Sequence, residues 1–313
     1  MEGKTTLKSN VIGRVFHKTG KASRKKNLKE NLLAYAFLTP ALIMLALFLI
    51  IPAGMVICYA FTDYYLLTPG ATKFIGLKNF VQLFNDPIFG KSMLNILKFV
   101  GWIIPVQLGT ALGLALIVNK ARKGNIFFKV AFFSPVVTSL AVTSVLWMIL
   151  YNPNSGLINA FLHKFGISAQ PFLSSPTQAM YAIIFVSVWQ GAGYQMLLFL
   201  AGMQNIPSYI YEAAEIDGFS KWAQFRYITM PLLKPTSIFI LMTTLIDAFK
   251  LIVQPMIMTQ GGPMNSTMTP IYYIFRTGFT DRMVGYSSSV ALLFATLIGV
   301  ITILQRKFIK EDE

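Results

Sequence analysis

Apolar residues run through this chain in long unbroken stretches rather than alternating with polar ones. Six stretches reach the ~20 mostly apolar residues that a helix needs to cross a bilayer. They are Leu32–Phe61, Ser92–Val118, Phe127–Tyr151, Gln178–Met203, Leu232–Met258 and Tyr286–Leu304. Continuous runs of this length predict helices and speak against the two-residue alternation of a β-barrel. Pro40 and Pro52 interrupt the first run, Lys98 sits near the start of the second, and Asp247 and Lys250 lie within the fifth. Proline and glycine inside a span are tolerated where neighbouring helices satisfy the freed backbone groups. The expected fold is an all-α polytopic membrane protein with six transmembrane helices. A basic tail covers 1–31, one membrane domain covers 32–305 and a short tail covers 306–313, with no internal repeat or low-complexity linker.

Composition narrows the class. Of 313 residues, 55% are apolar and 12% charged, against ~25% charged in a soluble domain. Ordinary globular classes and intrinsic disorder are both excluded. A single cysteine, Cys58, cannot close an internal disulfide, and two histidines, His17 and His163, leave no zinc cluster or histidine triad.

The net charge of +15 is unevenly distributed. The N-tail, 119–129, 204–234 and the C-tail together carry 19 Lys/Arg, whereas the opposite loops carry 6. Loops rich in Lys and Arg stay in the cytoplasm, so both termini are expected there, as an even span count requires. The basic tail Lys4–Lys29 reads as an orientation signal beside anionic lipid rather than as a nucleic-acid arm. The first run is too long for a cleaved signal peptide, follows a tail of about 30 residues, and precedes no A-x-A site.

Catalytic signatures are missing. The nearest approach to a phosphate-binding loop is Gly13 followed by Gly20-Lys21-Ala22, with six intervening residues, no hydroxyl after Lys21 and no strand before it. G-x-S-x-G and H-E-x-x-H are absent. No nucleotide, metal or other cofactor is therefore expected on this chain. Energy for uphill transport must come from a partner or an ion gradient.

The loop between the fourth and fifth runs is the most informative segment. It reads Pro207-Ser-Tyr-Ile-Tyr-Glu212-Ala213-Ala214-Glu215-Ile-Asp217-Gly218, then continues to Pro231 and Pro235. Ser208 is expected to cap a short helix, with the acidic residues Glu212, Glu215 and Asp217 near its positive end. Gly218 is expected to break that helix. Trp222, Phe225 and Ile228 recur at three-residue spacing and predict a second short amphipathic helix, which Pro231 and Pro235 would stop. An exposed pair of this kind either lies on lipid headgroups or binds a partner.

In order and spacing, Glu212-Ala213-Ala214, Gly218, Ile228 and Pro231 resemble the EAA loop of ABC importer permeases, with Met230 in place of the usual leucine. Ile216-Asp217-Gly218 is similar to the carbohydrate-importer form. Thr259-Gln260-Gly261-Gly262-Pro263 with Ser266-Thr267, Asn152-Pro153 through Gly156 to Asn159, and Trp189-Gln190-Gly191 resemble the same branch, near maltose and glycerol-3-phosphate permeases. Phe74-Ile-Gly76-Leu-Lys-Asn79-Phe80 resembles that family's outer loop after the first span.

The resemblance implies a type I (MetI-like) permease fold and one of two permease subunits in the inner membrane. A second permease subunit, two cytoplasmic ATPase subunits binding ATP and magnesium, and an extracytoplasmic solute-binding protein would complete the system. Residues 204–231 would form the coupling loop, with Glu212, Ala213, Ala214, Asp217 and Gly218 meeting the ATPase. The substrate would be a sugar or oligosaccharide, with glycerol-3-phosphate or another polar solute as the alternative. An ion-coupled secondary transporter is the rival reading, and a membrane-embedded enzyme the third.

Polar residues within spans mark an aqueous path. Ser187, Gln190, Gly191 and Tyr194 recur at i, i+3, i+4, i+7 on one face of the fourth span. Thr244, Asp247, Ala248 and Leu251 do so on the fifth. Matching positions in maltose-type permeases line the sugar site, so the resemblance implies a path through these two faces. Each residue also has a plainer role open to it: Gly191 in close packing, Asp247 with Lys250 as an ion pair, Tyr194 as a core residue, Lys98 snorkelling or paired, and 261–263 as a turn.

Overall fold

The computed structural model describes residues 35–119 and 125–310. The basic N-terminal tail, with His17 and the Gly13–Lys21 segment, lies outside the described residues, as do Lys120, Arg122 and Lys123. The chain divides after Cys58 into two units. Helix α1, Tyr35–Ala60, is long and apolar enough to span a membrane, and none of its most apolar window is buried. Its turn Ala46–Ile50 is π-helical, which widens the helix just ahead of Pro52, where a backbone N–H is missing.

The second unit contains the remaining helices: α2 (Lys78–Phe84), α3 (Pro87–Asn119), α4 (Asn125–Val137), α5 (Leu140–Leu150), α6 (Leu157–His163), α7 (Ala179–Gln204), α8 (Ser208–Ile216), α9 (Lys221–Leu232), α10 (Lys234–Phe249), α11 (Pro270–Phe275) and α12 (Val284–Lys310). Among the described residues there is no strand, only an isolated bridge between Thr62 and Phe74. Helices α1, α3, α7 and α12 are unbroken candidate spans. Two bent pairs, α4 with α5 at 99° and α9 with α10 at 63°, raise the count of candidate spans among the described residues from four to as many as six if each pair is one span.

Helices α3 and α7 form the centre. Ile96, Phe99 and Ile103 of α3 pack with Met180, Ile183 and Val186 of α7 in one buried cluster. Ala111 and Ala115 of α3 meet Met196 and Phe199 of α7 in a second, with Leu233 and Ile240. Small residues one turn apart let these backbones approach. Gly193 is the closest case: a Cβ there would stand 2.0 Å from the Phe132 carbonyl oxygen of α4.

The first bent pair has a local cause, and both it and the interruption after α10 have a distant support. Pro135 lies inside α4 and costs it a backbone hydrogen bond, and the helix ends two residues later. The fifth run, expected to be helical to Met258, stops at Phe249 and resumes as a turn at Pro255–Thr259. Backbone carbonyls freed inside a membrane need partners. The Thr138 carbonyl accepts from Gln190 Nε2 at 3.1 Å, and the Leu251 carbonyl accepts from Thr269 Oγ1 at 2.7 Å.

The end away from the basic loops is heavily tied. Asp86, just before α3, accepts through Oδ2 from the Tyr273 hydroxyl and from the Tyr286 hydroxyl at 2.5 Å. Its Oδ1 accepts from the amides of Ile88 at 2.8 Å and Phe89 at 3.4 Å. Burial pushes this carboxyl up, but those four hydrogen bonds outweigh it and hold the group below its ordinary value. Burial and the neighbouring Asp86 carboxylate push the Tyr273 hydroxyl up to about 12. Asn79 donates to the carbonyls of Ala60 at 2.9 Å and Thr62 at 2.8 Å. Residues 259–269 form a tight loop. Gln260, Gly261, Met264 and Asn265 all take positive φ, and Asn95 Nδ2 donates to the carbonyls of Asn265 at 2.8 Å and Met268 at 2.9 Å.

Candidate functional site

A cavity of about 260 Å³ opens between α3, α7, α10 and the broken segment after α10. Ser187, Gln190, Gly191, Thr244, Asp247, Ala248 and Leu251 all line it. Tyr194 does not; it is half exposed on the same helix, and Gln195 lines the cavity instead. Tyr194 is therefore not the buried core residue of its plainer reading, and its hydroxyl has no partner among the described residues.

The wall is made of amides and hydroxyls. Gln107 of α3, Gln190 and Gln195 of α7, and Gln254 beyond α10 face it together with Ser187 and Thr244. Gln254 Nε2 donates to Ser187 Oγ at 3.3 Å. Thr244 Oγ1 donates to the Ile240 carbonyl at 2.6 Å, so it can only accept from Gln195 Nε2, at 2.5 Å. The Thr138 carbonyl likewise can only accept, which fixes the orientation of Gln190. Both glutamines are left with a buried Oε1 that has no partner among the described residues. Leaving such a group unsatisfied costs ~1–3 kcal/mol, so two of the amides lining this cavity retain unused acceptor capacity.

Gly191 supplies room. A Cβ there would stand 2.3 Å from Gln107 Nε2, so the glycine lets the Gln107 amide reach the cavity wall. Asp247 and Lys250 form an ion pair at 3.5 Å with both side chains well exposed. Among the described residues these two carry the cavity's only charged side chains, and they neutralise each other. The sequence reading missed Gln107, Gln195 and Gln254. Their signal was an amide within an apolar run, but they lie on three different elements, and only the fold brings them together.

The loop between the fourth and fifth apolar runs is a helical hairpin. Helix α8 begins at Ser208 with Pro207 as its N-cap residue, and no side chain caps it. Ser208 is thus the first helical residue rather than the cap. The acidic residues also fall differently from expectation: none is in the first turn, and Asp217 is the C-cap. The helix starts one residue earlier than expected, so Glu212 sits mid-helix and the others near the negative end.

Gly218 takes φ +79°. The Phe219 amide donates to the Ala214 carbonyl at 2.9 Å and the Gly218 amide to the Glu215 carbonyl at 3.1 Å, the paired bonds of a Schellman stop. Ser220 then caps α9, accepting from the Ala223 amide at 3.2 Å. Pro231 does not stop α9. A π turn at Phe225–Thr229 carries the helix through it to Leu232. Pro235 sits in the first turn of α10, where its missing N–H is harmless.

Tyr211 and Thr229 hydroxyls meet at 3.0 Å across the hairpin, and Lys221 pairs with Glu215. That pairing holds the Glu215 carboxyl below its ordinary range. Ala214 is buried in the hairpin. The opposite face of α8 carries Tyr209, Glu212, Ala213 and Ile216 at i, i+3, i+4, i+7, all exposed. Ile216 is 87% exposed and Trp222 of α9 71%. Glu212 has no hydrogen-bond or ion-pair partner among the described residues.

Comparison with known proteins agrees with this architecture. Residues 106–310 match the family described as "Binding-protein-dependent transport system inner membrane component". The chain is 35% identical over 286 residues to the probable ABC transporter permease protein YurN of Bacillus subtilis, covering 90% of this chain and 97% of that one. It is 34% identical over 293 residues to the sn-glycerol-3-phosphate transport system permease protein UgpA of Escherichia coli O157:H7, covering 92% and 98%. Among solved structures, a chain of a bacterial ABC transporter involved in the import of the acidic polysaccharide alginate shares its fold at TM-score 0.80, with 23% identity over 91% of this chain and 98% of that one. A second structure, the alginate transporter in complex with an alginate pentasaccharide-bound periplasmic protein, matches at TM-score 0.79, with 24% identity over 90% and 94%. The chain belongs to the inner membrane components of binding-protein-dependent transport systems: it is a multi-pass ABC importer permease.

Proposed function

We propose that this permease forms half of a translocation path for an uncharged carbohydrate. The observation that carries the reading is the cavity wall: four glutamine amides and two hydroxyls, with its two charged side chains paired to each other. Hydroxyl-rich solutes exchange water for such donors and acceptors at little net loss. A phosphate or uronate would instead call for an unpaired cation, because an ionised group within a membrane span is costly unless it meets an opposite charge. On this reading the substrate differs in charge from the glycerol-3-phosphate of the UgpA name and the alginate of the structural neighbours.

The second permease subunit would close the path, and an extracytoplasmic binding protein would deliver the solute. Two ATPase subunits carrying ATP and magnesium would seat on α8, with Glu212 at the contact and Ala213, Ala214, Asp217 and Gly218 shaping the helix and its stop. The exposed apolar and acidic face of α8 supports this. Nucleotide-driven closure of the ATPases would bias the permease between two states.

Uptake by the transporter reconstituted with its partners tests the reading. Gln195→Leu and Asp247→Ala are each expected to lower uptake of a neutral saccharide about tenfold, ~1.4 kcal/mol, while assembly is kept. Tyr194→Ala tests whether the path continues past the cavity and should also lower uptake. Wild-type uptake in all three, or uptake confined to anionic solutes, would overturn the proposal.

A further inference from the structure

A larger cavity, about 590 Å³, lies apart from the path, walled by Trp147, Tyr151, Phe172, Tyr181 and Phe185. Gln170 and Gln178 also border it, but their amides are engaged. Gln178 Nε2 donates to Gln170 Oε1 at 3.0 Å, Gln178 Oε1 accepts from the Phe172 amide at 2.9 Å, and Gln170 Nε2 donates to the Ser168 carbonyl at 3.1 Å. An occupant therefore meets aromatic and aliphatic surface. This chemistry fits a hydrocarbon rather than a sugar.

Its height in the membrane is also given by the fold. Tyr181 is in the first turn of α7 and Tyr151 follows the last residue of α5, so the cavity lies at the span ends away from the basic loops. Trp102 meets the Tyr181 ring edge-on at 5.8 Å. Tyr181, Phe185 and Trp189, one turn apart on α7, are all exposed. Aromatic side chains gather in this way at a membrane–water interface.

Lys98 does not line the cavity but touches one of its wall residues, Tyr181. Its Nζ lies 4.1 Å from the centroid of the Tyr181 ring. No ion pair to Lys98 exists among the described residues. Lys98 is partly buried, and an aromatic face alone compensates an ammonium poorly once water is removed from it. An apolar protein surface laid over the cavity would leave that charge unmatched. A lipid with an anionic headgroup satisfies both features at once.

We propose that this is a binding site for one anionic phospholipid of the outer leaflet, with an acyl chain in the aromatic cavity and its phosphate on Lys98. The test uses the full-length chain in lipid nanodiscs with Trp102, Trp189 and Trp222 replaced by Phe, leaving Trp147 as reporter. Phosphatidylglycerol with brominated acyl chains should quench Trp147 at about fivefold lower mole fraction than brominated phosphatidylcholine, as one lysine near an anionic lipid predicts. Lys98→Gln and Lys98→Met should each abolish that preference, and Lys98→Arg should keep it. In the assembled transporter, native mass spectrometry should retain phosphatidylglycerol on the wild type and lose it from Lys98→Gln. Equal quenching by the two lipids overturns the proposal. So does a preference that survives in both neutral variants. Absence of quenching by either lipid, or of retained lipid in the assembly, would show the cavity closed by protein and overturn it as well.

Discussion

The two ends of the second unit are built on opposite principles. At the end away from the basic loops, Asp86 accepts four hydrogen bonds, and Asn79 and Asn95 each hold two backbone carbonyls. At the other end, the side chains that bridge the α8–α9 hairpin are a hydroxyl pair, an exposed ion pair and Gln224 on the Phe219 carbonyl at 3.4 Å, and the hairpin displays Tyr209, Ile216 and Trp222. One end spends its polar groups on itself. The other leaves a carboxylate and large apolar side chains unmatched, as a surface does when it is completed by another protein. Tightness marks where the fold is anchored, and incompleteness marks where the proposed ATPase contact lies.

The largest effect should come from attacking the incomplete end. Glu212→Lys reverses a charge at the proposed ATPase contact, and truncating or reversing a buried charge pair costs ~2–5 kcal/mol. Uptake should fall at least tenfold, and ATP hydrolysis should no longer respond to substrate-loaded binding protein. The melting temperature of the permease itself should stay unchanged, since Glu212 has no partner among the described residues of the fold. Normal coupling in this variant would erase the functional side of the contrast.

Attacking the tied end should do the reverse. Asp86→Ala removes hydrogen bonds to a charged group worth ~1.5–3 kcal/mol each. Thermal unfolding in detergent should move down by several degrees, while the ATP hydrolysed per solute transported stays the same in the surviving protein.

A smaller effect is expected with pH. Asp86 has a lowered folded-state value, below the ordinary 3.8. Its contribution to stability is therefore fully present above that ordinary value and lost as pH falls through the lowered one. Asp86→Asn should remove this part of the acid destabilisation, read as a flatter melting temperature below about pH 4. The smallest effect belongs to Lys221→Ala. Its partner Glu215 is largely exposed, so the pair is screened and no measurable melting shift is expected.

Run length pointed to the spans, four of them unbroken helices and up to two more bent pairs among the described residues, because a bilayer demands a fixed number of apolar residues whatever surrounds them. The breaks were less legible. Pro135 announces one locally, but the bend at Thr138 is completed by Gln190 from another helix. Nothing in Lys250-Leu251-Ile252 marks the interruption after α10, which rests on Thr269, eighteen residues along the chain from Leu251. Gly218 could be read correctly because only its backbone freedom mattered. Ser208 could not, since a neighbouring proline with extended backbone took the capping position. In the cavity, the helical repeat placed Ser187, Gln190 and Gly191 together. It placed Tyr194 with them and missed Gln195, because angular position on a helix says nothing about how far along the axis a cavity extends.

The bend at Leu233 has a mechanical consequence. Helix α9 has 12 residues and α10 has 16, so at 1.5 Å per residue the two arms measure ~18 and ~24 Å. Their junction, Leu233, is fully buried. On the proposed coupling such a part would act as a bell crank: a push on the arm at the hairpin would arrive at Asp247 turned by the 63° bend between the two helices. A straight helix would deliver that push along its own axis, as a piston. The bent one would deliver it partly sideways, across the cavity wall, which is the direction that widens or narrows a passage.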